Sequence, residues 1–281
     1  MIPQNQQPAG RFLSDPANLV LLSLALATLV IHMLAAAFTA YGYFRDELYY
    51  IACAEHLALG YVDQPPFSIY MLAVNRLLLG DSLVALRFLP ALACAVTVFL
   101  TGLMARELGG GRFAQTLAAA ASLVSPIYVG MNSIFSMNSF DILVWTAAAY
   151  VLILILKIDF DNSAGTMPDE ADTRHLERGS DSQRPSRRVL NASGTADVDH
   201  PERPTATFPP GWRESKDEPP TTETSPGRGS RRMRQARYWL LLGLILGIGL
   251  LNKISVLWLG AGIAAGLLLT PHRRWLRTPW P

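Results

Sequence analysis

Apolar runs long enough to cross a bilayer alternate along the chain with short polar breaks. Leu19–Tyr41 carries no Asp, Glu, Lys or Arg. About 20 apolar residues suffice for a helix to cross the hydrocarbon core, so this run predicts a first span, with His32 as a tolerated polar residue. Leu83–Met104 predicts a second, Ala114–Val129 a third and Phe140–Leu156 a fourth. Tyr238–Leu251 and Ile254–Leu269 form a shorter pair hinged on Asn252-Lys253. Phe67–Leu79 is apolar but short, follows Pro65-Pro66 and contains Asn75 and Arg76. That mixture suits an interfacial helix in an outer loop over residues 42–82. The fold class predicted is all-α: a polytopic membrane protein of about six transmembrane helices, with four spans in residues 1–157 and two in 238–281.

Composition sharpens the division. Half of the residues are hydrophobic and 16% are charged, below the roughly 25% of soluble domains. Residues 158–237 nevertheless hold more than half of the acids and more than half of the bases. Rich in Pro, Ser and Thr and poor in aliphatic clusters, that stretch predicts a disordered cytoplasmic loop. The polar N-terminus and the length of the first apolar run argue against a cleaved signal peptide. Cys53 and Cys94 fall in different segments, which predicts neither a disulfide framework nor a cysteine metal site. A net charge of +2, with bases in short clusters between apolar runs, gives no reason to expect a nucleic-acid partner.

Charge placement orients the spans. Alternating sides put Arg11, Arg106, Arg112, the Arg228–Arg237 cluster and Arg273, Arg274 and Arg277 on one face. By the positive-inside tendency that face is cytoplasmic. Asp46, Glu47, Glu55, Asp63, Asp81 and Asp141 then share the other, so the outer surface is selectively acidic. The expected location is a bacterial inner membrane, with the acidic loop on the periplasmic or extracellular face.

Arg45-Asp46-Glu47-Leu48-Tyr49-Tyr50 lies directly past the first span. Two carboxylates make a poor interface anchor, a role usually taken by Trp, Tyr, Lys or Arg, but they suit chemistry on a membrane-bound substrate. Together with Tyr61-Val62-Asp63-Gln64-Pro65-Pro66, Leu86-Arg87-Phe88-Leu89-Pro90 and Leu250-Leu251-Asn252-Lys253, they resemble the glycosyltransferase family 39 group. These are GT-C fold enzymes that include protein O-mannosyltransferases and the aminoarabinose transferases acting on lipid A. The resemblance covers residues 19–157 and 238–281. It departs from the group in the long 158–237 insert and in ending at Pro281, where members continue with further spans, so the chain is expected to resemble the N-terminal part of such an enzyme.

The resemblance implies a sugar donor linked to a polyprenyl phosphate and an acceptor glycan, lipid or protein met at the outer face. Such a donor has a stable anionic leaving group. The reaction needs a base at the acceptor hydroxyl, positive charge near the phosphate and an apolar groove for the lipid. Asp46 is the candidate base, with an N-cap of a helix Glu47–Leu59 as its alternative. Glu47 is a second catalytic candidate, or a first-turn acid. Asp63 is a substrate-binding candidate and, with Asp46 and Glu47, a candidate holder of a divalent metal ion. Tyr50 and His56 are candidates to line the site. Arg87 and Lys253 are the candidate cations, with snorkelling to headgroups as the alternative, and Asp141 is a partner for either. A non-catalytic or truncated membrane protein of the same fold is the rival reading. A transporter or lipid flippase fits less well, because the charges gather at span ends rather than mid-span.

Overall fold

The computed structural model describes residues 15–164 and 228–270, with side chains for 15–160 and 233–270. All the regular structure among the described residues is helical. Helix α1 (Pro16–Phe38) begins earlier than the apolar run: Asp15 Oδ1 accepts the Ala17 N–H at 3.0 Å, and Pro16 occupies the first helical position. There its missing N–H costs nothing and its fixed φ favours the helix. Extended Thr39 ends α1 short of Tyr41. The loop after α1 folds into α2 (Arg45–Glu55) and α3 (Phe67–Leu79), the latter with the expected bounds. Gly80 ends α3 at φ 83°, a backbone conformation that glycine adopts without steric cost.

The second span is a composite. Ser82 Oγ caps α4 (Leu83–Leu86) by accepting the Ala85 N–H, and the chain passes through Arg87 into α5 (Phe88–Glu107). Together they make a 25-residue apolar span. The third apolar run is broken: α6 (Arg112–Val124) and α7 (Pro126–Asn132) bend by 55° at Ser125. Ser125 is extended because a residue preceding proline is pushed out of the helical region. Next come α8 (Met137–Ala164), α9 (Arg228–Asn252) and α10 (Val256–Leu269). Among the described residues four helices are long and apolar enough to cross a membrane, and the bent pair makes up to five. The sixth expected span is the short one. With 14 residues, α10 is about 21 Å long, against a hydrocarbon core of about 30 Å.

The bent pair runs from one end of the bundle to the other. At one end of the bundle Arg106 of α5 donates to Asn18 of α1 at 2.7 Å, and α6 starts beside it. At the other, beyond the C-terminal end of α1, the Phe135 N–H that follows α7 meets Glu47 of α2. The two ends of α6–α7 therefore lie on opposite faces, as the alternation of charges predicts. The described helices overrun the expected loop boundaries of 158 and 237, since no Gly or Pro interrupts residues 157–164 or 230–237. The rest of the expected disordered loop lies outside the described residues.

Packing follows the spans. Leu21 of α1, Val98 and Leu103 of α5 and Ala119 of α6 form one buried cluster. Ala148, Val151 and Ile155 of α8 form another with Leu242 of α9, and Leu259 of α10 packs on it. Outward faces stay apolar: Leu26, Ile31, Leu34 and Phe38 of α1 are all exposed. In a bilayer these side chains face lipid, so exposure carries no hydrophobic penalty there. His32 is buried, with Nδ1 2.8 Å from the Thr28 carbonyl of its own helix. A third cluster roofs one end of the bundle, where Tyr50, Cys53, Ile69, Leu72, Leu86, Phe135 and Phe140 meet. The site stands on it.

Candidate functional site

Asp46 and Glu47 are adjacent in sequence and have opposite environments. Successive residues of a helix point about 100° apart, so α2 cannot present both to one surface. Glu47 faces inward and is fully buried. Its Oε1 accepts Arg87 Nε at 2.9 Å and the Phe135 N–H at 2.8 Å. Its Oε2 accepts Arg87 Nη2 at 2.8 Å and the Phe44 N–H at 2.8 Å. A carboxylate offers about four lone-pair sites, and all of Glu47's are filled. Arg87, itself buried, adds a bond from Nη2 to the Gly42 carbonyl at 3.0 Å.

The pair therefore ties the loop after α1, the second span and the loop after α7 together. Arg87 neither snorkels to headgroups nor faces a donor phosphate, because its guanidinium is held inside by Glu47. Glu47 likewise has no lone pair left for a metal or a reacting proton.

Asp46 points the other way. Its side chain is 47% exposed, with Oδ1 3.3 Å from the still more exposed Arg45 Nε. It is not an N-cap: Phe44 holds that position, and the helix ends at Glu55 rather than Leu59. At the second helical position its charge still gains from the positive end of the helix dipole.

Asp46 lines a cleft of about 460 Å³. Arg45, Asp46, Tyr49 and Tyr50 reach it from α2, Asp63 and Gln64 from the next loop, and Ser136, Met137 and Asn138 from the start of α8. Tyr49 donates its phenolic hydrogen to Asp63 Oδ1 at 2.5 Å. The bond to Asp63, with a lesser contribution from Cys53, holds the Tyr49 phenol well above its ordinary pKa and so in the donor form. Tyr50 is buried, accepts the Met137 N–H at 3.0 Å and meets Phe135 edge to face. Burial pushes the Tyr50 phenol up, opposed by the Met137 N–H.

Lys253 and Asp141 stand behind this surface. Lys253 Nζ donates to Asn138 Oδ1 at 2.7 Å and lies 3.6 Å from Asp141 Oδ2. Ser255 donates to Asp141 Oδ1 at 2.7 Å, and Asn252 donates to the Met137 carbonyl at 2.9 Å. Of the expected site residues, Asp46, Tyr50 and Asp63 line the cleft. Lys253 and Asp141 support it through Asn138, Glu47 and Arg87 brace it from within, and His56 stands apart as the exposed C-cap of α2. The expected ligand set of Asp46, Glu47 and Asp63 does not assemble, because Arg87 and two backbone N–H groups occupy Glu47. Among the described residues no group of three or more His, Cys, Asp or Glu side chains could hold a metal ion.

Sequence reasoning missed Tyr49, Gln64, Ser136 and Asn138. The signal for Asn138 was the repeated Met-Asn-Ser at 131–133 and 137–139, whose second copy opens α8 with the Asn138 N–H bonded to Ser136 Oγ at 3.3 Å.

A bundle of apolar helices carrying an acid-lined polar cleft at one end defines an integral membrane protein built to handle a polar group at the bilayer surface. The chain belongs to the dolichyl-phosphate-mannose-protein mannosyltransferase family, whose model matches residues 63–163 and 230–281, more than half of its length. The family places it among membrane glycosyltransferases, mannosyltransferase-like, with a polyprenyl-phosphate-linked sugar as donor. The match includes Asp63, Gln64, Arg87, Asn138, Asp141 and Lys253, whereas Asp46 and Glu47 precede it. No curated protein and no solved structure matches the chain.

Proposed function

We propose that this protein transfers a sugar from a polyprenyl phosphate to a hydroxyl-bearing acceptor at the outer face of the membrane, with Asp46 as general base. The observation that supports this most directly is the division of labour in α2. Glu47 is sealed by Arg87, while Asp46 stays open in a cleft at the end of the bundle shared with Asp63.

The acceptor oxygen attacks the anomeric carbon as its proton passes to Asp46. The bond between that carbon and the phosphate oxygen breaks, and the electron pair leaves with the polyprenyl phosphate. A phosphate needs no proton to depart, so one base suffices. Arg45 is the cation that lines the cleft, and Lys253 contributes positive charge from behind Asn138. The lipid tail runs down the apolar outer faces of the spans.

The test is Asp46→Asn in the full chain reconstituted into proteoliposomes with polyprenyl-phosphate mannose. Asn keeps the size of Asp but cannot accept a proton at neutral pH, and position 46 makes no cap that would be lost. Turnover should fall about 10²–10⁴-fold with donor-lipid binding nearly unchanged. Lys253→Met should instead weaken donor binding. Wild-type turnover in Asp46→Asn would remove Asp46 as the base.

A further inference from the structure

The carboxamide of Asn138 has only one orientation compatible with its neighbour. A lysine ammonium has donors and no acceptor, so the Asn138 atom 2.7 Å from Lys253 Nζ must be the oxygen. Asp141, three residues on, holds the same ammonium in place. What Asn138 can offer to the cleft it lines is therefore its NH₂ group. A second amide stands in the same cleft. Gln64 is 7% exposed, and its Nε2 is buried with no hydrogen-bond partner among the described residues. That nitrogen is sealed from solvent as the side chain stands, so it meets a ligand oxygen in the cleft when the amide turns outward, which supplies the partner it lacks.

Acceptors complete the surface. Asp46 and Asp63 each have Oδ1 engaged, by Arg45 and Tyr49 respectively, which leaves Oδ2 of each to accept from a ligand. A hydroxyl group donates one hydrogen and accepts through its lone pairs, so it is matched by a carboxylate and an amide NH₂ together. A phosphate has no hydrogen to give at neutral pH, and two carboxylates repel it. Amide donors beside carboxylate acceptors are built for adjacent hydroxyls on a neutral sugar ring.

We propose that Asn138 and Gln64 bind hydroxyl groups of the transferred sugar, so that their wall of the cleft reads the ring and leaves the phosphate to Arg45. This rests on the glycosyl-transfer reading above and names the part of the donor that the cleft recognises. Lys253 and Asp141 are positioning residues that act through Asn138.

The experiment compares binding of polyprenyl-phosphate mannose and of the bare polyprenyl phosphate to the full chain in lipid nanodiscs. Asn138→Asp keeps an oxygen for Lys253 but replaces the NH₂ with an acceptor. Gln64→Met keeps the volume and removes a polar group that has no partner. Each should weaken binding of the mannosyl lipid by about three- to tenfold, the worth of one hydrogen bond, and leave the bare lipid within about twofold. Gln64→Met should also melt at the same temperature or higher, a sign that no loss of folding could mimic. Equal losses for both lipids, or no loss for either, would overturn the assignment. A wild-type chain that binds neither lipid would instead sink the glycosyl-transfer reading, and this assignment with it.

Discussion

Two neighbouring acids that look alike in sequence should respond in opposite ways to the same chemical change. Glu47→Gln leaves Arg87 buried against a neutral amide that cannot accept all four of the bonds the carboxylate accepts. Breaking a buried pair by removing one partner costs about 3–5 kcal/mol, so this variant should be poorly folded. Its thermal midpoint in detergent should drop well below that of the wild type, whereas Asp46→Asn should melt within a degree or two of it. Similar midpoints for Glu47→Gln and wild type would show that the pair does not brace the loop.

Residue types and the carboxylate pair were legible in sequence, as was Asp141 as a partner for Arg87 or Lys253, of which the structure selects Lys253. The partner of Arg87 was not, because it lies 40 positions away across the loop, and no periodicity within one helix reports such a contact. Asn138 was hidden for the same reason: its role is set by Lys253, 115 residues later.

At the scale of the helix, the apolar runs marked each span but not its ends. Caps and breakers set those: Asp15-Pro16 moved the start of α1, Gly80 ended α3, and Pro126 split the third run into α6 and α7. Contact between helices depends on small residues that hydropathy does not weigh. A Cβ added at Gly102 of α5 would lie 2.4 Å from Leu21 Cδ2 of α1, and Leu21 is fully buried, so its side chain must turn to another rotamer inside the packed contact. Gly102→Ala should therefore destabilise the α1–α5 contact by about 1–3 kcal/mol, the usual cost of overpacking. Adding Leu21→Ala should recover part of that loss. Strict additivity in the double-mutant cycle would mean the two positions do not touch.

For the whole molecule, the strongest expectation from sequence was that the chain alternates faces. The structure agrees by bringing residues 44–50, 135–141 and 252–255 to one end and Asn18, Arg106, Glu107 and Lys157 to the other. Which end faces out rests on the positive-inside tendency and is open to measurement. Val62, at the cleft end, and Leu108, at the opposite end, are both highly exposed, while the native Cys53 and Cys94 are buried. A membrane-impermeant thiol reagent on intact cells should label Val62→Cys and reach Leu108→Cys only after permeabilisation. The reverse pattern would invert the orientation.

The contact between Lys253 and Asn138 also sets the order in which the site comes into being. A ribosome adds roughly 5–20 residues per second, so about 6–23 s pass after Asn138 is made before Lys253 exists. During that interval Asp141 has entered the membrane at the head of α8 without its cation. Asn138 is free to turn its amide either way, and one wall of the cleft has no fixed shape. Only when the α9–α10 elbow docks does the ammonium arrive to settle both. The nascent chain therefore displays its acidic loop early but is assembled into a sugar-reading surface only after Lys253 has been made.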